Sequence, residues 1–285
     1  MNVLEETKYI MRKYGIKANK SLGQNFLINE DVINKIVSSA NITKEDLVIE
    51  IGPGLGTLTK YLLEKASKVI CIELDDKMIS ILNDRFSLYN NLELINKDVL
   101  KVDLRQLITA EKEKNKVKKV KVVANLPCYI TTPIIMKLLE EKLDIESITV
   151  MIQKEVADRL IAIPGEKDTG AITYTVYYYC NSEKVIEVPN SSFIPEPEVT
   201  SEVIKLMLRS EPSVKVTDEK AFFNIIKCAF MQRRKTLLNS LTNNHVFESK
   251  KNGEKILSDI NLDLNIRAEN LSIEDYEKLY NKINY

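Results

Sequence analysis

The residues with the clearest chemical potential lie in one short turn, Asn125 to Tyr129. The turn follows a mostly apolar run, Val120 to Ala124, whose β-branched residues predict a buried strand. An exposed Asn beside a proline at the carboxyl end of a strand offers a side-chain oxygen and backbone carbonyls as hydrogen-bond acceptors. Ligands bind at this edge of an α/β sheet. We therefore predict that the turn faces a ligand and suits chemistry on a planar amine.

A glycine-rich turn provides a second candidate site. Three glycines separate a strand-like run that ends at Ile51 from a helical pattern that begins at Thr57: Gly52, Gly54 and Gly56. Closely spaced glycines let the backbone approach a ligand without Cβ collisions, at the positive end of a helix. The dinucleotide fingerprint G-x-G-x-x-G requires glycine at position 57. Because that residue is Thr57, a nicotinamide dehydrogenase is disfavoured.

Two carboxylates end the next two predicted strands. Glu73 lies 21 residues after Gly52, where a carboxylate can accept hydrogen bonds from both hydroxyls of a ribose. Asp98 ends the following strand, where it can accept from an adenine amine. Alone, each acid also fits a purely structural role at a strand end or in a turn. The combination with the glycine turn favours a nucleoside site.

Composition limits the class of protein. The chain has 285 residues, 44% of them hydrophobic and 29% charged, which predicts one large domain or one large and one small domain. Lys plus Arg and Asp plus Glu both number 41, so a nucleic-acid partner must be held by local patches. The four cysteines form no C-x-x-C pair, which disfavours a metal site and fits a reduced cytoplasmic setting. The absence of a long apolar run argues against a membrane protein.

The elements that position these residues alternate between strand and helix patterns. Strands are predicted over five runs: Leu47–Ile51, Lys68–Leu74, Leu92–Asn96, Val120–Ala124 and Ser147–Ile152. Helices are predicted between them: Thr57–Glu64, Lys77–Ser87, Val102–Lys112 and Pro133–Lys142. This alternation indicates βαβ units and a parallel, doubly wound sheet over roughly residues 20–205.

The later part of the chain changes character. Ala171–Cys180 fits either a strand or a helix, and Glu202–Leu208 is strand-like. A linker pattern at Glu211–Ser213 is followed by helical patterns, one of them over Asp218–Leu241. We therefore predict two domains, residues 1–208 with an N-terminal extension over 1–30, and a small helical domain over 213–285.

Six segments in order resemble the class I S-adenosylmethionine-dependent methyltransferases, and most closely the KsgA-type small-subunit (16S) rRNA adenine N6,N6-dimethyltransferases. The segments are Ser21–Leu27, the glycine turn, Asn125–Pro127, Gln153–Arg159, Phe193–Ser201 and Phe230–Leu237. The resemblance covers nearly the whole chain. It implies an α/β fold with a doubly wound, Rossmann-like sheet and a small C-terminal helical domain that binds RNA.

The resemblance also implies a cofactor, a substrate and residue roles. S-adenosylmethionine would be bound by seven residues: Asn25, Leu27, Gly52, Gly54, Glu73, Asp98 and Asn125. The catalytic residues would be Asn125, Leu126, Pro127 and Phe193. The substrate would be two adjacent adenosines near the 3′ end of 16S rRNA, dimethylated on N6 during maturation of the small subunit. We expect a cytoplasmic, monomeric enzyme.

One residue departs from the family pattern. In the family an aromatic residue follows the Asn-x-Pro triplet and stacks on the target base, together with the aromatic residue at Phe193; here Cys128 stands in its place. The sequence continues without a gap, so Tyr129 cannot take that place without local rearrangement. Base stacking contributes ~1–3 kcal/mol, so we expect a reduced but not abolished transferase. Accommodation of the thiol by its neighbours is the alternative.

Three basic residues are candidates for RNA contact: Arg233, Arg234 and Lys235, predicted on a helix. A solvated helix face is the alternative explanation. Two other functions also remain open. One is a 23S rRNA adenine methyltransferase of the macrolide-resistance type, and the other is a small-subunit assembly factor whose catalysis is weakened by Cys128.

Overall fold

The chain forms two compact units, each with its own core. The computed structural model describes residues 2–18, 24–166, 168–232 and 234–284, without the side chains of residues 128 and 284. The first unit comprises the described residues up to 157 together with 182–208. The second comprises 158–181 together with the described residues from 209 onward.

Helices and strands alternate through the first part of the chain. In chain order they are α1 (Val3–Lys13), β1 (Phe26–Leu27), α2 (Glu30–Ser39), β2 (Asp46–Ile51), α3 (Thr57–Lys65), β3 (Lys68–Glu73), α4 (Asp76–Arg85), β4 (Leu92–Asn96), α5 (Leu104–Asn115), β5 (Lys119–Asn125), α6 (Thr131–Glu140), β6 (Ser147–Gln153) and α7 (Lys154–Ile161). The remainder contains α8 (Ala171–Tyr179), β7 (Cys180–Val188), β8 (Phe193–Ile194), β9 (Ser201–Leu208), α9 (Glu219–Phe230), α10 (Leu237–Asn243), α11 (Lys250–Asp259) and α12 (Ile273–Asn284).

A seven-stranded sheet dominates the first unit, in the order β4-β3-β2-β5-β6-β9-β7. The five strands β4, β3, β2, β5 and β6 pair in parallel. β2, which is buried along its whole length, lies between β3 and β5. The predicted α/β architecture with a Rossmann-like sheet and a helical C-terminal region is confirmed.

The sheet is mixed rather than wholly parallel, because β9 pairs antiparallel with β6. The expectation of a purely parallel sheet was therefore wrong at this edge. β9 has five consecutive buried residues, from Glu202 to Leu206. A strand covered on both faces gives the same apolar run in either direction, so the sequence pattern does not reveal its polarity. β7, whose residues 181–184 are exposed, lacks that pattern and was not predicted.

The ambiguous run at 171–180 forms the helix α8, and its tyrosines pack within the second unit. The Tyr174 hydroxyl donates to the carbonyls of Ala268 (3.1 Å) and Leu271 (2.7 Å). Its ring lies edge-on to Tyr276, with 4.8 Å between centroids. These contacts explain why residues 158–181, assigned from sequence to the first domain, group with the C-terminal residues.

A helix predicted over Asp218–Leu241 is two helices, α9 and α10, separated by a turn. Asp218 caps α9 by accepting from the N–H of Ala221 (3.0 Å). Thr236 caps α10 in the same way by accepting from the N–H of Asn239 (3.3 Å). The N-cap at Thr236 starts a new helix and so determines where the segment is interrupted.

A buried ion pair ties the start of the central strand to its neighbour. Lys121 on β5 lies 3.0 Å from Asp46 on β2, and these side chains are only 4% and 2% exposed. Lys121 also lies 3.4 Å from Glu146 and donates to the carbonyl of Asn41. Removing one member of such a pair leaves an uncompensated buried charge.

We predict that Lys121→Met lowers the free energy of unfolding by about 3–5 kcal/mol, because Asp46 then stays buried without its cation. Urea unfolding followed by circular dichroism measures the change. The matched control is Lys119→Met, which removes a lysine from the same strand whose side chain is 57% exposed. Equal losses in the two variants would contradict the role assigned to the buried pair.

Candidate active site

A cavity of about 690 Å³ opens at the carboxyl ends of the parallel strands. Strand register explains why. Ile51 on β2 pairs with Ile72 on β3 and with Ala124 on β5. The next residue in each strand therefore emerges at the same level: Gly52, Glu73 and Asn125. Three short sequence motifs that are far apart in the chain are brought to one edge by pairing alone.

All ten residues predicted to bind the cofactor or to act in catalysis line this cavity. They are Asn25, Leu27, Gly52, Gly54, Glu73, Asp98, Asn125, Leu126, Pro127 and Phe193. The structure thus places all of the predicted residues around one cavity. The role of each residue stays a prediction.

The segment before α2 is positioned by a two-stranded antiparallel ladder. β1 pairs with β8, with Leu27 opposite Phe193 and Phe26 opposite Ile194. The N–H of Ile28 extends the ladder by donating to the carbonyl of Ser192 (2.8 Å). Leu27 and Phe193 are therefore direct cross-strand neighbours. Leu27 is predicted to contact the cofactor, and Phe193 is predicted to contact the base.

Glu73 is held by the backbone of the surrounding turns. The N–H of Gly54 donates to its Oε2 (3.2 Å), and the N–H of Asp75 donates to its Oε1 (2.9 Å). Burial raises the pKa of Glu73, and these backbone donors offset part of that rise. The carboxylate is thus fixed in orientation beside the glycine turn. Its remaining lone pairs can accept from ligand hydroxyls.

The glycine turn fits a ligand on one side and packs tightly on the other. Gly52 has φ +67°, and a Cβ placed there meets no atom within 4 Å. Gly56 has φ +81°, and a Cβ there would lie 2.5 Å from Phe86 and 2.7 Å from Leu82. The open space above Gly52 is part of the cavity, so the turn can receive a ligand next to its backbone.

The charges that line the cavity favour a cationic nucleoside over a phosphate-bearing one. Its described lining has five acidic residues and one lysine: Glu50, Glu73, Asp98, Glu196, Glu198 and Lys97. A pyrophosphate would be repelled by those of these acids that are ionised. S-adenosylmethionine carries a ribose, an adenine and a positive sulfonium, so the residues present fit it.

Asp98 is only partly available to a ligand. Its side chain caps a single 3-10 turn by accepting from the N–H of Leu100 (3.0 Å). The carboxylate is half-buried and lines the cavity. The structural role suggested by the sequence is therefore present, and the carboxylate can still accept at other lone pairs.

The Asn125 turn is anchored, yet its acceptors face no protein donor among the described residues. The N–H of Leu126 donates to the carbonyl of Met151 on β6 (3.0 Å). The carbonyl of Pro127 accepts from the N–H of Ile130 (3.2 Å) and from Thr131 Oγ1 (3.1 Å). Neither the Asn125 side-chain amide nor the Leu126 carbonyl bonds to any described residue. Both oxygens are free to accept from a ligand.

Glu50 is a functional candidate that sequence reasoning missed. This carboxyl lines the cavity from near the carboxyl end of β2, and the residue is 2% exposed. It accepts from Thr59 Oγ1 (2.6 Å) and Cys71 Sγ (3.4 Å). Burial raises the pKa of Glu50 to about 7. An acidic residue inside an otherwise apolar strand, Leu47–Ile51, is the sequence signal that points to it.

The basic residues predicted on a helix lie elsewhere in their local structure. Arg234 and Lys235 are exposed in the turn between α9 and α10, so their predicted helical position was wrong. The N–H of Lys235 donates to the carbonyl of Gln232 (2.8 Å), and Thr236 then begins α10. Arg233 lies outside the described residues.

Comparisons with known proteins find a matching family model, similar curated relatives and similar solved structures. A model of the family described as Ribosomal RNA adenine dimethylase matches residues 15–285. The Ribosomal RNA small subunit methyltransferase A of Alkaliphilus metalliredigens (strain QYMF) is 50% identical over 278 residues, which are 98% of this chain and 96% of that protein. A crystal structure of a dimethyladenosine transferase from Plasmodium falciparum is 30% identical, with a TM-score of 0.76, over 91% of this chain and 98% of that one.

A second solved structure supports the fold alone. The 23S rRNA methyltransferase ErmE is 23% identical, with a TM-score of 0.69, over 92% of this chain and 100% of its own. Within the described ranges, no helix is long and apolar enough to cross a membrane.

We predict that Glu50 makes stability depend on pH. Its carboxyl holds a proton to about pH 7 when folded but only to about pH 4.5 when exposed. The stabilisation that Glu50 contributes is therefore fully present below about pH 4.5 and is lost as the pH rises to about 7, by up to ~3 kcal/mol. Urea unfolding of the ligand-free protein from about pH 5 to about pH 8 should show this fall, reduced in Glu50→Gln. Parallel curves for both proteins would refute the assignment.

Proposed function

This chain belongs to the ribosomal RNA adenine dimethylase family, and we propose that it dimethylates N6 of two adjacent adenosines in the 3′-terminal hairpin of 16S rRNA during small-subunit maturation. It is an rRNA adenine dimethyltransferase that uses S-adenosylmethionine. The observation that carries the proposal is one cavity in which the glycine turn and Glu73 meet the free acceptors of Asn125 and Leu126. The small-subunit target is supported by the name of a relative with 50% identity.

The cofactor supplies a methyl group on a positively charged sulfonium. We propose that Glu73 accepts from its ribose and Asp98 from its adenine amine, while Gly52 and Gly54 allow close approach of its methionine part. Asn25 and Leu27 cover it from the segment before α2. The acidic lining favours this cation electrostatically.

The substrate nitrogen needs activation by geometry rather than by a base. The lone pair of an adenine amine is delocalised into the ring, so the planar amine is a poor nucleophile. Asn125 Oδ1 and the Leu126 carbonyl accept its two hydrogens and favour a pyramidal amine whose lone pair points at the methyl group. Pro127, with φ −69°, holds the carbonyl in place. The contribution of these residues is positioning and electrostatics.

The remaining partners are proposed with the function. The second unit would bind rRNA, with Arg234 and Lys235 as exposed phosphate contacts. Arg233, which lies outside the described residues, belongs to the same proposal. We propose that the protein acts as a monomer in the cytoplasm on an immature small subunit.

We predict that Asn125→Ala lowers methyl transfer to unmethylated small subunits by about 10²- to 10³-fold. Losses of this size follow the removal of one preorganised hydrogen-bonding group from the active sites of other enzymes. Radiolabelled methyl incorporation measures the rate, and mapping of modified adenosines identifies the target. The matched control is Asn83→Ala, an exposed residue of α4. Modification of large-subunit RNA by the unchanged protein would overturn the proposed target.

We predict that Glu73→Gln weakens binding of S-adenosylmethionine about 10- to 100-fold, since hydrogen bonds to a charged acceptor contribute about 1.5–3 kcal/mol. Isothermal titration calorimetry measures the affinity, and a thermal melt checks that the variant folds. Glu64→Gln, at an exposed position of α3, is the control. Equal affinity in all three proteins would exclude Glu73 from the ribose site.

A further inference from the structure

We propose that Tyr129 is a specificity-determining residue of this enzyme, whose exposed ring stacks on the extracted adenine as the second aromatic surface beside Phe193. The proposal rests on the adenine substrate proposed above. It concerns a residue to which the family resemblance assigns no role. It also revises the expectation that this chain has an aromatic surface on one side of the base only.

The cavity has three aromatic side chains in its described lining, and they differ sharply in exposure. Phe26 is 6% exposed and Phe193 is 3% exposed, whereas Tyr129 is 57% exposed. Phe26 packs on the glycine turn, with its Cε1 3.6 Å from where a Cβ on Gly54 would lie. Phe26 is therefore committed to the cofactor side. Tyr129 is the aromatic residue of this lining that keeps a largely uncovered ring for a ligand.

The backbone beneath Tyr129 is fixed, so its ring is presented from a rigid support. Cys128–Ile130 forms a single 3-10 turn after Pro127. The carbonyl of Pro127 accepts from the N–H of Ile130 (3.2 Å) and from the hydroxyl of Thr131 (3.1 Å), which is buried. Both bonds span Tyr129. A fixed backbone reduces the conformational entropy that is lost when a base stacks on the side chain it carries.

The position of Tyr129 in the sequence places it beside the acceptors that hold the amine. It follows Asn125 by four residues and Leu126 by three, within one turn. The Tyr129 hydroxyl bonds to no described residue, so the ring is not held in place by another polar group. An adenine held at its amine by Asn125 and Leu126 would thus have an aromatic ring available on the same turn.

Flipped bases are recognised by stacking together with hydrogen bonds to the Watson-Crick edge. Loss of one aromatic surface weakens base binding about 10- to 100-fold. The sequence expectation, that Cys128 leaves one side of the base uncovered, predicts a gain of that order for Cys128→Tyr. The present proposal predicts little gain, because the adjacent residue already supplies the surface.

The first experiment measures kcat/KM for methyl transfer to unmethylated small subunits. Tyr129→Ala should lower it about 10- to 100-fold, while Tyr129→Phe should stay within about threefold of the unchanged protein and affinity for S-adenosylmethionine should stay constant. Tyr9→Ala is the matched control, because Tyr9 is 51% exposed on α1. Full activity of Tyr129→Ala, or a tenfold gain on Cys128→Tyr, would overturn the proposal.

The second experiment detects stacking without turnover. The chain contains no tryptophan, so Tyr129→Trp introduces a single tryptophan at the proposed surface, whose fluorescence can be excited selectively over that of the tyrosines. Adding the 3′-terminal hairpin RNA should quench it, and the same RNA with uridines at the two target positions should quench it less. Tyr9→Trp should respond equally to both RNAs. Equal responses of Tyr129→Trp would refute stacking. Absence of methyl transfer by the unchanged protein would instead refute the proposed function.

Discussion

The parallel pairing of β2 with both β3 and β5 is the constraint on which the site depends. Because Ile51 pairs with Ile72 and with Ala124, the chain leaves three strands at one level. Gly52, Glu73 and Asn125 inherit their relative positions from the backbone hydrogen bonds of these strands. Short side chains at these positions are then enough to line the cavity, which limits the conformational entropy lost when they are ordered.

The sequence predicted those features of the fold that depend on interactions between residues close together in the chain. Buried parallel strands and the glycine turn have signatures within a few residues, so Gly52, Glu73 and Asn125 could be placed from sequence. The polarity of β9 could not, because burial on both faces is the same for either direction. The grouping of α8 with the second unit depends on Tyr174 reaching Ala268, 94 residues later. The raised pKa of Glu50 depends on burial, which a sequence does not display.

The proposed amine acceptors and the proposed stacking surface lie on different parts of the turn. Hydrogen-bond acceptors lie where the turn leaves the sheet, at Asn125 and Leu126, and their placement follows from strand register. The proposed stacking surface, the ring of Tyr129, lies further along the turn, where the side chain is exposed. The family resemblance locates the acceptors, Asn125 and Leu126, better than the aromatic surface. The aromatic surface depends on which residue after Pro127 lines the cavity.

The ladder between β1 and β8 has a consequence for the order of events. Leu27, which we propose contacts the cofactor, and Phe193, which we propose contacts the base, face each other across two paired strands. Under that proposal, a shift of either strand changes the position of both residues. A ligand that shifts the ladder would then change the affinity of the other ligand, and by thermodynamic linkage the effect is reciprocal. In an enzyme that adds methyl groups in succession and exchanges its cofactor between them, each cofactor exchange would change the affinity for the base.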